Sequence, residues 1–365
     1  MTIHIVHVVG ARPNFMKAAP VIRALASFDS LRQTLVHTGQ HYDTNMSEVF
    51  FQQLDIPEPD INLGVGSGSH ANQTAQIMSS FESVALESKP DLVLVYGDVN
   101  STVATALVCA KMSIPVGHVE AGLRSFDRTM PEEMNRLLTD QIADLLFTPS
   151  RDADENLLRE GISQEKIHLV GNVMIDTLVH LLPKASDRWS ILHSSWKLER
   201  FGLVTLHRPS NVDHPEKISS IMNTLIDISE RLPLIFPIHP RTRERLKDLK
   251  LLNQNSQVRL EEPLGYLDFL ALQCHATLVI TDSGGIQEET TYLGVPSLTV
   301  RENTERSVTL TLGTNILVGQ DMGRMKAEVG QILSGDRKQG KKIPFWDGQA
   351  ARRIADSIVS RPFRS

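Results

Sequence analysis

Short apolar runs bounded by turn residues alternate with longer amphipathic stretches along most of the chain. Ile3 to Val9, Thr34 to His37, Leu92 to Tyr96, Pro115 to Val119, Leu145 to Thr148 and Ile167 to Val170 read as buried strands. Between them, Met16 to Ala26, Ala71 to Glu87 and Ser101 to Lys111 carry a helical pattern. This βα order predicts a mostly parallel sheet covered on both faces. The pattern then restarts. Phe201 to Leu206, Leu234 to Ile238, Gln257 to Leu260, Thr277 to Ile280, Ser297 to Val300 and Asn315 to Val318 read as strands, with a helix across Pro215 to Arg231. Pro183 to Glu199 has no strand signal, so the junction falls between Val170 and Phe201. The expectation is an α/β protein of two doubly wound, Rossmann-like domains, residues 1–172 and 173–347. A final helix within 348–365 is expected to cross back to the first domain. Ligands of such sheets bind beyond the carboxyl ends of the strands, and two facing domains predict a cleft site.

The chain's 365 residues suit two domains. Its 37 Lys+Arg against 43 Asp+Glu give a net charge of −6. That argues against a general nucleic-acid binder but leaves room for a local anion pocket. Two distant cysteines, Cys109 and Cys274, exclude a disulfide framework or cysteine zinc site and fit a reducing cytosol. The apolar runs are too short to span a bilayer. The N-terminus reads as a strand entering a glycine loop, not a signal peptide. Gly64-Val-Gly-Ser-Gly68 is no dinucleotide fingerprint, no Walker A string occurs, and the thirteen histidines form no metal spacing.

Polar clusters follow several strands. After the first, Gly10-Ala-Arg-Pro-Asn-Phe-Met-Lys17 offers Arg12, Lys17 and helix N–H groups to an anion; the same string also reads as a turn with solvated charges. Asp98, in Gly97-Asp-Val-Asn-Ser-Thr102, reads as a helix cap or a site carboxylate. Glu120, in Gly117-His-Val-Glu-Ala-Gly-Leu-Arg124, reads as an ion-pair partner of Arg124 or a reactive group. Met130-Pro-Glu-Glu-Met-Asn-Arg136 starts a helix. The macrodipole explains acidic residues there, whereas a site role needs Glu132 or Glu133 to point inward. Asp98, Glu120 and Glu132 together are three carboxylates suited to dividing acid and base work. In the second domain, His207 stands at a strand end beside Arg208. The run Thr281-Asp-Ser-Gly-Gly-Ile-Gln-Glu-Glu289 brings Ser283, Gly284 and Gly285 to a helix start, where backbone N–H groups suit a phosphate. Glu289 could accept from both ribose hydroxyls, and Arg306 could meet a phosphate.

These strings, in this order from Gly10 to Gln349, resemble the non-hydrolysing UDP-N-acetylglucosamine 2-epimerases. The resemblance implies a glycosyltransferase-B arrangement with UDP-sugar in the cleft. It implies a cytoplasmic homodimer without metal or nicotinamide cofactor. Carried over, Arg12, His207, Ser283, Gly285, Glu289 and Arg306 bind nucleotide, Phe269 packs near uracil, and Asp98, Glu120 and Glu132 are catalytic, with His207 near the diphosphate. Two strings depart from the familiar bacterial pattern. Gln40-His-Tyr-Asp-Thr44 lacks the Arg and Glu of the activating-site string Gln-His-Arg-Glu-Met, which puts allosteric activation in doubt. Arg208-Pro-Ser-Asn-Val-Asp213 replaces Arg-Arg-Glu-Ser and is similar to loops of relatives acting on 2,3-diacetamido sugars. The implied reaction is epimerisation at carbon 2 through 2-acetamidoglucal. A glycosyltransferase and a non-catalytic nucleotide-sugar sensor are the alternatives.

Overall fold

The computed structural model describes residues 2–39, 55, 57–197, 199–238, 240–249 and 256–361. The chain divides into two compact units, Met1–Val179 with Pro344–Ser365, and His180–Ile343.

In the first unit, parallel strands β1 (Ile3–Val9), β2 (Leu31–His37), β3 (Ile61–Asn62), β4 (Leu92–Tyr96), β5 (Val116–Val119), β6 (Leu145–Thr148) and β7 (Ile167–Leu169) lie in the order β3-β2-β1-β4-β5-β6-β7. Every side chain of β4 is buried, which follows from helices covering both faces of the sheet. Val6, Val93, Val95, Phe81 and Leu146 are part of the core. The two-residue β3 is too short to carry a period in sequence. In the second unit, β8 (Gly202–Thr205), β9 (Leu234–Pro237), β10 (Val258–Glu261), β11 (Leu278–Thr281), β12 (Ser297–Thr299) and β13 (Asn315–Leu317) lie in the order β10-β9-β8-β11-β12-β13. Both units are Rossmann-like, and two such units are what a glycosyltransferase-B fold contains. In each, strand order reverses once, between β1 and β4 and between β8 and β11. These are the topological switch points, where doubly wound sheets bind ligands.

The helix Val173–Trp196 contains the boundary between the units. The last helix, Ala350–Val359, packs on the helix Arg12–Leu25 of the first unit. Asp176 accepts from the N–H groups of Ala350 (3.1 Å) and Ala351 (2.7 Å), capping that helix. The preceding segment is pinned by Trp346 Nε1, which donates to Pro149 O at 2.9 Å. Gly171, at φ +92°, lies so close to Phe345 that a Cβ would fall 2.0 Å from its carbonyl oxygen. No helix among the described residues is long and apolar enough to cross a membrane.

Candidate active site

The first unit's switch point is built from the ends of β1, β4 and β5. Register pairs Val8 with Val95 and Tyr96 with Val119, so the turns after all three strands emerge side by side. Asn14 ties two of them together. Its carboxamide oxygen accepts from Gly10 N (3.0 Å) and Ala11 N (2.9 Å), while its Nδ2 donates to Tyr96 O at 2.7 Å. Arg12, at the start of that helix, is exposed.

Glu120 is buried and Lys17 Nζ lies 2.9 Å from its Oε1. An ion pair of Glu120 with Arg124 is not formed: Arg124 goes to Asp140 and Glu160, both at 2.7 Å. Glu120 has φ +75°, a left-handed conformation that costs a non-glycine residue roughly 1–2 kcal/mol. Gly97, at φ +63°, approaches the same lysine: a Cβ there would fall 2.5 Å from Lys17 Nζ. Only glycine leaves room for the ammonium group.

Asp98 does not cap the following helix, whose N-cap is Val99 and has no side-chain cap. Instead its carboxylate is ion-paired with Arg136, and its carbonyl accepts from Asn135 Nδ2 at 2.9 Å. The neighbouring glutamates of the next helix, Pro131–Ile142, part company. Glu132 is exposed. Glu133 is the inward one, accepting from Ser125 N (2.9 Å), Phe126 N (2.9 Å) and Arg136 (2.7 Å). Burial pushes the Glu133 carboxyl up, but the Ser125 N–H and Arg136 outweigh it, so it titrates below its ordinary value.

The second unit's switch point is organised by Asp282, fully buried at the end of β11. It accepts from His207 Nδ1 (2.9 Å), from the backbone N–H groups of His207 (3.1 Å) and Arg208 (3.0 Å), and from Asn211 Nδ2 (3.0 Å). Burial raises its carboxyl, but these donors, His207 foremost, hold it below the usual range. His207 itself has a side chain 61% exposed, so it is no core histidine. Ser283 is the N-cap residue of the helix Gly284–Leu293, and Ser283, Gly284 and Gly285 are only partly covered.

Glu289, buried further along that helix, accepts from Tyr266 Oη at 2.9 Å. Burial pushes its carboxyl up to about 7 against the pull of Tyr266 and Gln273. Phe269, half-buried, lies on the same helix as Tyr266, Tyr266–His275. Arg306 is buried, with Nε 2.8 Å from Glu288.

Against this geometry, the UDP-N-acetylglucosamine 2-epimerase family model matches residues 23–359. The chain belongs to the UDP-N-acetylglucosamine 2-epimerase family. A Methanococcus maripaludis UDP-N-acetylglucosamine 2-epimerase is 44% identical over 96% of this chain and 97% of its own. A Pseudomonas aeruginosa UDP-2,3-diacetamido-2,3-dideoxy-D-glucuronate 2-epimerase is 42% identical over 97% of this chain and 99% of its own. The crystal structure of the Methanocaldococcus jannaschii UDP-GlcNAc 2-epimerase, in complex with UDP-GlcNAc and UDP, superposes with a TM-score of 0.89 at 43% identity, covering 98% of this chain and 99% of that one.

The structure also brings to these turns residues that the sequence did not single out. Asp282 lies inside a string whose candidate residues were Ser283, Gly284, Gly285 and Glu289. Its signal was a carboxylate directly after a fully buried strand, where a partner is obligatory. Arg136 and Asp140 lie on the helix Pro131–Ile142, whose buried residues are Glu133, Arg136, Thr139 and Asp140. The spacing 133, 136, 140 is the signal: it places all three charges on one face. Gln40 to Thr44 lies outside the described residues.

Proposed function

We propose that the chain interconverts UDP-N-acetylglucosamine and UDP-N-acetylmannosamine, the second unit holding UDP and the first handling protons. What supports this most directly is the pair Asp98 and Glu120 on turns that follow adjacent strands at a switch point, each facing a cation, in a chain of this family. The proton at carbon 2 is not next to a carbonyl, so its direct removal is unfavourable. Elimination avoids that difficulty. A carboxylate takes the proton, the C2–H electrons form the C1=C2 bond, and the C1–O bond breaks to release UDP. UDP oxygen then re-forms the bond to C1 while a second carboxyl delivers a proton to the opposite face of C2. Asp98 and Glu120 are assigned these proton transfers; Glu132, exposed on its helix, is assigned the third carboxylate role on the family resemblance alone.

On this reading Ser283, Gly284 and Gly285 bring N–H groups to the departing diphosphate, with His207 and Arg306 supplying further donors, and Arg12 and Lys17 are assigned to substrate binding. Glu289 takes the ribose hydroxyls and Phe269 packs near uracil. The working form is a cytoplasmic homodimer that needs neither metal nor nicotinamide.

Turnover of UDP-N-acetylglucosamine in deuterium oxide tests the reading. The expected product is UDP-N-acetylmannosamine deuterated at carbon 2, with an oxygen label at the sugar–phosphate bridge scrambled into non-bridging positions. Product with neither change excludes elimination, and turnover only with an added acceptor makes the protein a transferase. A second reading, epimerisation of a UDP-2,3-diacetamido sugar, is favoured by the Arg208 to Asp213 loop and by the similarity to the Pseudomonas enzyme. Turnover of that substrate with silence on UDP-N-acetylglucosamine would select it.

A further inference from the structure

The helix Pro131–Ile142 turns a polar face inward, burying Glu133, Arg136, Thr139 and Asp140. A helix on a sheet ordinarily buries an apolar stripe, and buried charges persist only when paired. Asp140 is fully buried and every contact it makes runs toward the two strand-end turns. Oδ1 accepts from His118 Nδ1 at 2.6 Å, and Oδ2 from Gly122 N at 3.0 Å and Arg124 Nη1 at 2.7 Å. His118, equally buried, reaches Gly97 O at 2.8 Å with its other nitrogen, Nε2. A carbonyl oxygen can only accept, so His118 donates from Nε2 to Gly97 O. Arg124 completes the cluster, pairing with both Asp140 and Glu160 at 2.7 Å.

Both turns it grips contain left-handed residues, Gly97 in one and Glu120 with Gly122 in the other, and of these Glu120 is the one that is not glycine. Gly97, the residue before Asp98, gives its N–H to Val119 O at 3.0 Å and its carbonyl to His118. Glu120 gives its N–H to Phe147 O at 3.0 Å, and two residues on Gly122 N is held by Asp140. Strained conformations last only where the surroundings over-determine them. One carboxylate supplies that constraint to both turns.

We propose that Asp140, acting through His118, is a positioning residue for epimerisation: it fixes the turns that carry Asp98 and Glu120 without meeting substrate. This rests on the proposed epimerase chemistry.

The test compares Asp140→Asn and His118→Asn with wild type for kcat, KM, UDP affinity by calorimetry, and deuterium washed into recovered UDP-N-acetylglucosamine relative to UDP-N-acetylmannosamine. The expected result is a kcat lowered about 10²-fold, the scale of an ångström's misplacement, with KM and UDP affinity within threefold. The deuterium ratio should shift, because misplaced carboxylates uncouple proton removal from delivery to the opposite face. A role confined to folding would lower the amount of UDP-binding protein and leave kcat per bound site and the deuterium ratio at wild-type values; that overturns the proposal. So does a wild-type kcat in either variant, or failure of both to yield UDP-binding protein. Should Asp140→Asn alone not fold, His118→Asn decides. Wild-type protein inactive on either candidate UDP-sugar would instead remove the epimerase reading itself.

Discussion

Glu289 predicts a pH dependence of nucleotide binding that can be worked out from its surroundings. Burial pushes the carboxyl up to about 7, while Tyr266 Oη at 2.9 Å pulls the other way. On the proposed reading it accepts hydrogen bonds from both ribose hydroxyls, which requires the ionised form. The apparent dissociation constant is then the intrinsic one divided by the ionised fraction. That fraction falls from about 0.9 at pH 8 to about 0.1 at pH 6, so affinity should weaken roughly tenfold, or about 1.4 kcal/mol. Calorimetry with UDP-glucose measures this cleanly, because its diphosphate is esterified at both ends and does not titrate in the range. Two buffers of different ionisation enthalpy should report a proton released on binding at pH 6 and almost none at pH 8. Tyr266→Phe removes the donor that favours the carboxylate, so the midpoint should move upward and affinity at pH 7 should fall. Glu289→Gln should bind more weakly than wild type at pH 8, with little dependence on pH. A flat wild-type profile between pH 6 and 8 would refute the reasoning. So would tightening on acidification, the sign expected of a histidine beside a diphosphate.

Other expectations follow from the same geometry. Asp98→Asn and Glu120→Gln should each lower kcat by about 10²-fold or more in initial-rate assays while UDP binding persists, and Glu132→Gln should do likewise. Arg306→Ala should cost about 1.5–3 kcal/mol of UDP binding by titration calorimetry. It should also lower Tm, because it strips the buried Glu288 of a cation 2.8 Å away. Gly285→Asp should weaken UDP strongly, and unchanged affinity in both variants would move the nucleotide elsewhere. With Gln40 to Thr44 lacking the Arg-Glu pair, initial rates should depend hyperbolically on UDP-sugar; a sigmoidal curve would contradict this. Burial lifts Asp176 to about 6 despite the N–H groups of Ala351 and Ala350. Its folded value exceeds its unfolded one, so its stabilisation is complete below about pH 4 and lost as pH rises through 6. The Tm difference between wild type and Asp176→Asn should therefore move against wild type from pH 5 to pH 7, and a constant difference would count against the assignment.

The sheets were legible because strands covered on both faces must be apolar throughout: Leu92 to Tyr96 and Leu145 to Thr148 have the same limits in sequence and structure. Legibility faded where that condition lapsed. β2 begins at Leu31, ahead of the expected Thr34, because Arg32 and Gln33 interrupt the apolar run on a stretch that is not fully covered. The helix Val173–Trp196 was obscured by Pro183 within it and by its change of surroundings from one unit to the next. Strand ends were legible as candidate chemistry because polar residues there need a reason. Their partners were not. Glu120 takes Lys17, 103 positions away, over Arg124, four away, and no spacing rule anticipates a choice made by tertiary geometry. The charged face of Pro131–Ile142 was illegible for a related reason: the sequence of a helix rich in charge does not say what covers it.

Why the proposed proton chemistry should lie on β4 and β5 has a geometric answer. Inversion at carbon 2 needs one group to remove a proton and another to deliver it from the opposite face, so two carboxyls must flank one carbon. Adjacent parallel strands are about 4.8 Å apart and end pointing the same way, which sets two turns a sugar ring's width from each other. A regular exit from the sheet would leave both chains running parallel. The left-handed Gly97 and Glu120 redirect them. Glycine relieves that conformation at 97, where Lys17 leaves no room for a side chain. At 120 the chain keeps a glutamate, strained and buried beside the same lysine; glycine would satisfy the backbone but leave the buried Lys17 ammonium without its carboxylate. Neutralising Lys17 calls for a carboxylate nearby, and the chain places it on a left-handed residue of a strand-end turn. An observed outlier of this kind argues for function, and among the described buried carboxylates of the first unit it singles out Glu120 as the one held in the left-handed region.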